Sequence, residues 1–333
     1  MDKPRKAFTS AKQVAELAGV SRSAVSRTFT PGASVSEETR KRVISASEKL
    51  GYHVNHLARG LLRQSSGIVC LVAADTDTPY MSRMIRMLVR SLQQAGKVAM
   101  VLESSENVDH ALRQTLNYRA DATVVLSGTP PQSLIRTCLD NGQRLILINR
   151  DDQLSGPHNL SLDNRGAASA ALRALLGAGC RRLALVNSEA GTPSLMTRER
   201  AFVEEAEKEG VEVVVTRNGH TSYEAGALGA RRLLSSREHP DGVFCVTDLL
   251  ACGFMDAARQ EFGLTIPDQL SVIGFDDIEQ AGWSSYRLTT FSPNVAALAG
   301  RVVELATMAG GAEESHRDLI EVPLVRRDTV RQS

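Results

Sequence analysis

The chain has 333 residues, more than one compact domain usually takes; 42 % are hydrophobic, enough for a substantial core, and the mean hydropathy of −0.15 fits a soluble protein. Its near-neutral net charge of +1 conceals a split: residues 1–64 carry twelve Lys and Arg against five Asp and Glu, whereas the remainder carries 27 against 33, so +7 faces −6. That asymmetry excludes a uniformly basic or acidic protein and points to a basic module for a polyanion, joined to a domain with a different task.

The opening MDKPRKAFTSAKQ has no apolar core of a secretion signal, and no window approaches the roughly 18 uninterrupted apolar residues of a membrane span. A cytoplasmic location and no membrane partner are expected. The cysteines (Cys70, Cys138, Cys180, Cys245, Cys252) are odd in number and dispersed, with no CxxC spacing. They read as reduced core residues, so neither a metal nor a cofactor is expected.

Ser10 can cap a helix from about Ala11 to Ala18, with Val14, Leu17 and Ala18 on one face. Gly19 suits the left-handed turn that ends it. Ser21 can cap a second helix, SRSAVSRTF, packing through Ala24, Val25 and Phe29. A third helix follows Ser36, with Glu37 and Glu38 at its positive end and Val43, Ala46 and Leu50 inward, and stops at Gly51. Two short helices across a glycine turn, closed by a third, make a helix-turn-helix. The second helix of such a unit enters the DNA major groove by its amino end, here Ser21, Arg22 and Ser23, with Ser26 and Arg27 one turn on. Arg22 suits guanine O6 and N7; Ser21, Ser26 and Arg27 suit phosphate or mixed contacts. An ordinary three-helix cap with solvated arginines is the plainer alternative.

The runs AKQVAELAGVSRSAVSRTF and VSEETRKRVISASEKLGYHVNHLARGL resemble the headpiece of the lactose/galactose repressor (LacI/GalR) family, through the AGVS-x-x-x-VSR core over about 50 residues. Where the family usually opens with a β-branched residue and aspartate before VA, this chain has Ala11-Lys12-Gln13, which puts the role of Gln13 in the first cap in doubt. The resemblance implies a DNA-contacting set of Ser10, Ser21, Arg22, Ser23, Ser26 and Arg27. It also implies a hinge helix containing Asn55, His56, Arg59 and Leu61, the leucine wedging into the minor groove. Alone, that hinge is too short to hold a helix, and Gly60 weakens it, so pairing on DNA is what would fold it. Arg59 and Arg63 read equally as phosphate contacts or as solvated linker charges.

From Gly67 the chain alternates apolar strands (GIVCLVAA, KVAMVLES, ATVVLSG, RLILINR, then RRLALVNS, VEVVVTR, DGVFCVTD, LSVIGFDD) with helical stretches. Continuous apolar strands indicate parallel sheets covered on both faces, and two successive sets indicate two open α/β subdomains. GxGxxG after the first strand, GxxxxGK[ST], GxSxG and HExxH are all missing, and the seven histidines do not cluster, which disfavours an enzyme.

The motifs DTDTPY, LDNRGAA, TRERAF, VTDLLACG and SVIGFDD make residues 67 to about 325 similar to the family's effector domain, itself similar to periplasmic sugar-binding proteins. The expected fold is an N-terminal all-α helix-turn-helix headpiece plus an α/β periplasmic-binding-protein-like domain of two doubly wound parallel-sheet subdomains. The expected divisions are 1–54 for the headpiece, 55–66 for hinge and linker, and 67–333 for the effector domain. Within the last, 67–161 with 292–325 forms one subdomain and 162–291 the other.

Ligands of open α/β sheets sit at the carboxyl ends of strands. By the resemblance Arg198 holds ligand oxygens, Asp276 accepts from ligand hydroxyls and Thr247 meets a ligand amide. A surface arginine, a turn aspartate and an N-cap are the plain alternatives. Asp75, Thr76, Asn149, Arg150 and Asp248 complete the strand-end set, while Tyr80 is expected to pack rather than bind. Thr221 stands where many relatives place a stacking aromatic, with His220 or Tyr223 as substitutes. Arg150, Arg198 and His220 at one cleft would favour a sugar acid or sugar phosphate over a neutral sugar. SPNVAALAGRVVELATMAGG reads as an amphipathic helix, with Val295, Leu298, Val302 and Leu305 as its apolar stripe, returning to the first subdomain, with no leucine-heptad extension behind it. The resulting expectation is a homodimeric repressor, released by a small carbohydrate-like inducer from a near-palindromic double-stranded operator.

Overall fold

A computed structural model describes residues 8–30, 32–54, 65–104, 107–150, 156–308 and 315–332. They form two compact units, one ending at Ser66 and one beginning at Gly67. The expected hinge residues Asn55, His56, Arg59 and Leu61 lie outside the described residues.

The described residues of the first unit form three helices, α1 (Ala11–Ala18), α2 (Arg22–Thr28) and α3 (Glu37–Leu50). Each starts on a serine whose hydroxyl accepts an amide N–H of the first turn: Ser10 from Gln13, Ser21 from Ala24, Ser36 from Thr39. Gln13 Oε1 in turn accepts from the Ser10 amide at 2.8 Å, so the unusual Ala-Lys-Gln opening still closes a full capping box. Gly19, at φ +63°, ends α1 in the left-handed conformation where a Cβ would also meet the Arg42 guanidinium. The core is Val14, Ala15, Ala18, Val25, Val43 and Ala46. One expectation shifts: Leu17 is exposed, because α1 turns Val14, Ala15 and Ala18 inward. Phe29, just after α2, and Leu50 pack against this core as expected, each half-buried, with Phe29 beside Tyr52.

The second unit begins β1 (Ile68–Ala73), α4 (Pro79–Gln94), β2 (Val98–Glu103), α5 (Val108–Asn117), β3 (Ala122–Val125), α6 (Gln132–Asp140), β4 (Arg144–Ile148) and β5 (His158–Leu162). It continues through α7 (Asn164–Gly177), β6 (Leu183–Asn187), α8 (Pro193–Lys208), β7 (Val213–Arg217), α9 (Tyr223–Leu234), β8 (Gly242–Cys245), α10 (Asp248–Gln260), β9 (Ser271–Phe275) and β10 (Thr289–Phe291). Last come α11 (Val295–Thr307), β11 (Arg317–Ile320) and β12 (Leu324–Val325). One sheet has the order β11-β5-β4-β3-β1-β2 and is parallel throughout; the other is β12-β10-β9-β8-β6-β7, antiparallel only at β12. Fully buried strands such as IVCLVA and LALVN explain why apolar residues run without alternation.

The chain passes between sheets three times: after β5, after β10 and after β11. α11 packs on α4, as its apolar stripe suggests. The expected segment 292–325 must be shortened, since Leu324 pairs with Phe291 in the second sheet. The crossover strands HNLSL, TTF, RDLI and LV were missed because they are short and only partly apolar. α9 and α10 approach closely enough that a Cβ on Gly253 would meet the Tyr223 carbonyl oxygen at 1.8 Å, and α10 opens at the carboxyl end of β8. No helix among the described residues is long and apolar enough to cross a membrane.

Candidate functional site

In the helical unit, Arg22 and Arg27 project from α2 into solvent with no partner among the described residues. Ser21 caps α2 by accepting from the Ala24 amide and shares a 2.8 Å hydrogen bond with Ser23. The Ser10 hydroxyl is held in its capping box, and Ser26 is exposed. Two further arginines have structural partners instead. Arg42 donates to the carbonyls of Ala18 (2.5 Å) and Gly19 (3.0 Å), closing the end of α1, and Arg40 donates to Thr28 at 2.9 Å, closing α2. The exposed face of α2 therefore offers a short polar surface with Arg22 at its amino end and Arg27 in its last turn, neither paired among the described residues, the arrangement a helix needs to meet base edges and phosphates.

In the α/β unit, a cleft of about 230 Å³ opens at the carboxyl ends of both sheets. From the first subdomain it is lined by Asp75 after β1, Tyr80 of α4, and Asn149 and Arg150 after β4. From the second it is lined by Arg198 of α8, Thr221 after β7, Thr247 after β8 and Asp276 after β9. Three of these, Asp75 (φ +50°), Asn149 (φ +56°) and Asp276 (φ +117°), hold left-handed backbone that side chains rarely adopt, the kind of strain that gathers at working sites.

Arg198 anchors one wall. Its Nε donates to Asn164 Oδ1 at 2.8 Å, its Nη1 to the Val246 carbonyl at 2.7 Å, and the guanidinium lies 3.3 Å over the Phe275 ring. Asp276 Oδ1 stands 3.9 Å from Nη1, at the limit of an ion pair. Burial pushes the Asp276 carboxyl well above the usual range, an effect only partly offset by Arg198. On the opposite wall the Tyr80 hydroxyl is buried without a hydrogen-bond partner among the described residues, and burial together with the Asp276 carboxylate holds its phenol above the ordinary value. Asn149 accepts from the Leu162 amide through Oδ1 (2.9 Å), and Arg150 Nη2 donates to the Leu126 carbonyl (3.3 Å). Thr247 caps α10 and still faces the cleft, and Thr221 shares a 2.7 Å hydrogen bond with Ser188.

Several assignments need correction. Asp248 does not line the cleft: it is wholly buried beneath it, accepting from Thr290 Oγ1 (2.5 Å) on the crossover strand β10 and from the Ile278 amide (2.9 Å). Burial lifts its carboxyl to about 7. Thr76 also falls outside the lining, because the turn after β1 presents Asp75 instead. Tyr80, expected to pack, is a lining residue. Neither His220 nor Tyr223 replaces the aromatic at Thr221: His220 is exposed outside the cleft, and Tyr223 donates its hydroxyl to Asp256 at 2.7 Å. Tyr80, Ser194, Leu249 and Ile278 were missed as lining, since only the tertiary fold turns them toward one space.

Comparison with known proteins gives a consistent picture. Residues 10–55 match the bacterial regulatory proteins of the lacI family, and residues 172–330 match the periplasmic binding protein-like domain. The HTH-type transcriptional regulator GalR of Escherichia coli is 29 % identical over 333 residues, covering 96 % of this chain and 95 % of that protein. AscG of the same organism is 27 % identical over 332 residues, covering 97 % and 98 %. The crystal structure of the Lac repressor dimer bound to operator and the anti-inducer ONPF superposes with a TM-score of 0.87 at 21 % identity, covering 98 % of this chain and all of that one.

Proposed function

We propose that this chain, which belongs to the lacI family of bacterial regulatory proteins, is a DNA-binding transcriptional repressor whose grip on its operator is set by a small polyhydroxylated effector. The observation that carries this reading is the pairing, in one chain, of exposed arginines on α2 that have no partner among the described residues with a cleft whose arginine and carboxylate are buried. Ser10, Ser21, Arg22, Ser23, Ser26 and Arg27 form the DNA face, Arg22 reading a base edge and the serines and Arg27 meeting phosphate. Asn55, His56, Arg59 and Leu61 act as the hinge between the half-sites, and the protein works as a cytoplasmic homodimer on a near-palindrome.

In the cleft, Arg198 donates to ligand oxygens, Asp276 accepts from ligand hydroxyls, and Tyr80, Asn149, Arg150, Thr221, Thr247 and Asp75 complete the set. With His220 outside and two carboxylates facing two arginines, the lining favours a neutral sugar over a sugar acid. The ligand draws the two subdomains into an arrangement that parts the hinges and frees the operator, a population shift driven by differential affinity. The domain senses its ligand and releases it chemically unchanged.

The test is fluorescence anisotropy of the purified protein on its own upstream intergenic DNA, across a salt series and with neutral sugars, sugar acids and sugar phosphates. Saturable, palindrome-dependent binding with a steep salt slope, weakened by one neutral sugar, supports the reading. Weak, sequence-independent binding under every condition would overturn it, and recovery of a converted ligand would make the α/β unit an enzyme.

A further inference from the structure

A second chamber, of about 300 Å³, lies in the α/β unit and shares no lining residue with the cleft. It is walled by the end of α7, the first residue of β10 and the segment after β12, toward the amino ends of the strands rather than the carboxyl ends. Four arginines converge on it: Arg173, Arg326, Arg327 and Arg331. No acidic residue lines it, although residues 65–333 carry a net negative charge.

The four are held differently. Arg327 is fixed by the Asp277 carboxylate at 2.6 Å and the Leu288 carbonyl at 2.7 Å. Arg331 donates to three neutral acceptors, the Ala178 carbonyl (3.2 Å), the Asp268 carbonyl (3.0 Å) and Cys180 Sγ (3.0 Å), and has no carboxylate. Arg173 and Arg326 are exposed and have no carboxylate within 4 Å among the described residues. Three of the four guanidinium groups thus have no carboxylate within 4 Å among the described residues, Arg173 meeting Glu205 only at longer range, and Thr289 completes the wall of this small space. Mutual repulsion of such a group is relieved by an anion that several forks can chelate, which is the geometry that suits phosphate oxygens. The volume is at the lower end of small-molecule sites.

We propose that this chamber is a second ligand site, for a small compound carrying a phosphate or comparable dianion. Arg327 and Arg331 form its fixed floor; Arg173 and Arg326 close on the ligand.

The experiment is isothermal titration of the full chain with inorganic pyrophosphate in chloride buffer at constant ionic strength. The wild type should bind one equivalent per chain, and Arg173→Gln combined with Arg326→Gln should weaken it about tenfold or more, since two charge-assisted bidentate contacts are lost. Neither side chain makes a hydrogen bond or ion pair among the described residues, so thermal melting should not move. Replacing both by Lys should restore only part of the affinity, because charge remains while the fork is gone. Absence of saturable binding, or binding equally strong in the double variant, would overturn the proposal. So would unchanged pyrophosphate affinity together with a shallower salt slope for DNA, which would make these arginines a nucleic-acid contact.

Discussion

Arg22 and Arg27 stand in solvent with no partner among the described residues, whereas Arg198 has a side chain only 4 % exposed, is hydrogen-bonded on two sides and is stacked on Phe275. The same residue type thus serves two kinds of recognition. An exposed cation keeps its hydration and its rotamers until the partner arrives, so its contribution is long-ranged and screened by salt. A buried cation has already lost its water and been fixed by its neighbours, so it discriminates at short range and responds little to ionic strength. A polyanion reader needs the first and a sensor of a compact ligand needs the second.

The comparison breaks first at Arg198. Replacing it by Ala should abolish effector binding and cost the α/β unit about 3–5 kcal/mol, because Asp276 and Asn164 keep their burial and lose their partner. Urea denaturation beside ligand titration reads both, and a variant as stable as wild type would show the cleft arginine to be as loosely held as those of α2.

Asp248 gives the next largest effect, and one that depends on pH. Its carboxyl is raised from 3.8 to about 7 in the folded protein, so the folded state holds a proton that the unfolded chain releases near pH 4. The stability associated with that proton is complete below about pH 4, is lost as pH rises toward 7, and changes no further above it, a span of up to ~4 kcal/mol. Asp248→Asn keeps the protonated shape and should flatten this slope, measured as denaturation midpoints from pH 4 to 8. An unchanged slope would place the titration elsewhere.

Arg22→Ala tests the exposed side. Operator affinity should fall by about 1–3 kcal/mol with discrimination relaxed at one base pair, while thermal melting stays put. A fall in melting temperature would mean that Arg22 holds structure, as Arg40 and Arg42 do. The smallest effect belongs to Tyr80→Phe. If its buried hydroxyl waits for a ligand oxygen, effector affinity should drop by about 0.5–1.5 kcal/mol, whereas removing an orphaned polar group leaves stability equal or slightly higher. Equal affinity would assign Tyr80 to packing.

The sequence by itself determined what depends on near neighbours. Serine caps at Ser10, Ser21 and Ser36, the left-handed Gly19 and Gly51, and the unbroken apolar strands were all legible, because capping, turn geometry and burial pattern act within a few residues. Arg198, Thr247 and Asp276 were assigned to strand ends and to the cleft through motif resemblance, and they do line it.

Only the tertiary structure decided which side chains face one another across long separations. It turned Asp248 inward onto Thr290, 42 residues away, and left Thr76 and His220 outside the cleft while bringing Tyr80 in. It committed Arg40 and Arg42 to helix ends while leaving Arg22 exposed with no partner among the described residues. It also gathered Arg173 with three arginines more than 150 positions later, by pairing a two-residue strand, Leu324–Val325, onto the second sheet. The physical reason is the same in each case. A polar side chain's role is set by the donors, acceptors and water within a few ångströms, and strand order, not residue spacing, chooses those neighbours.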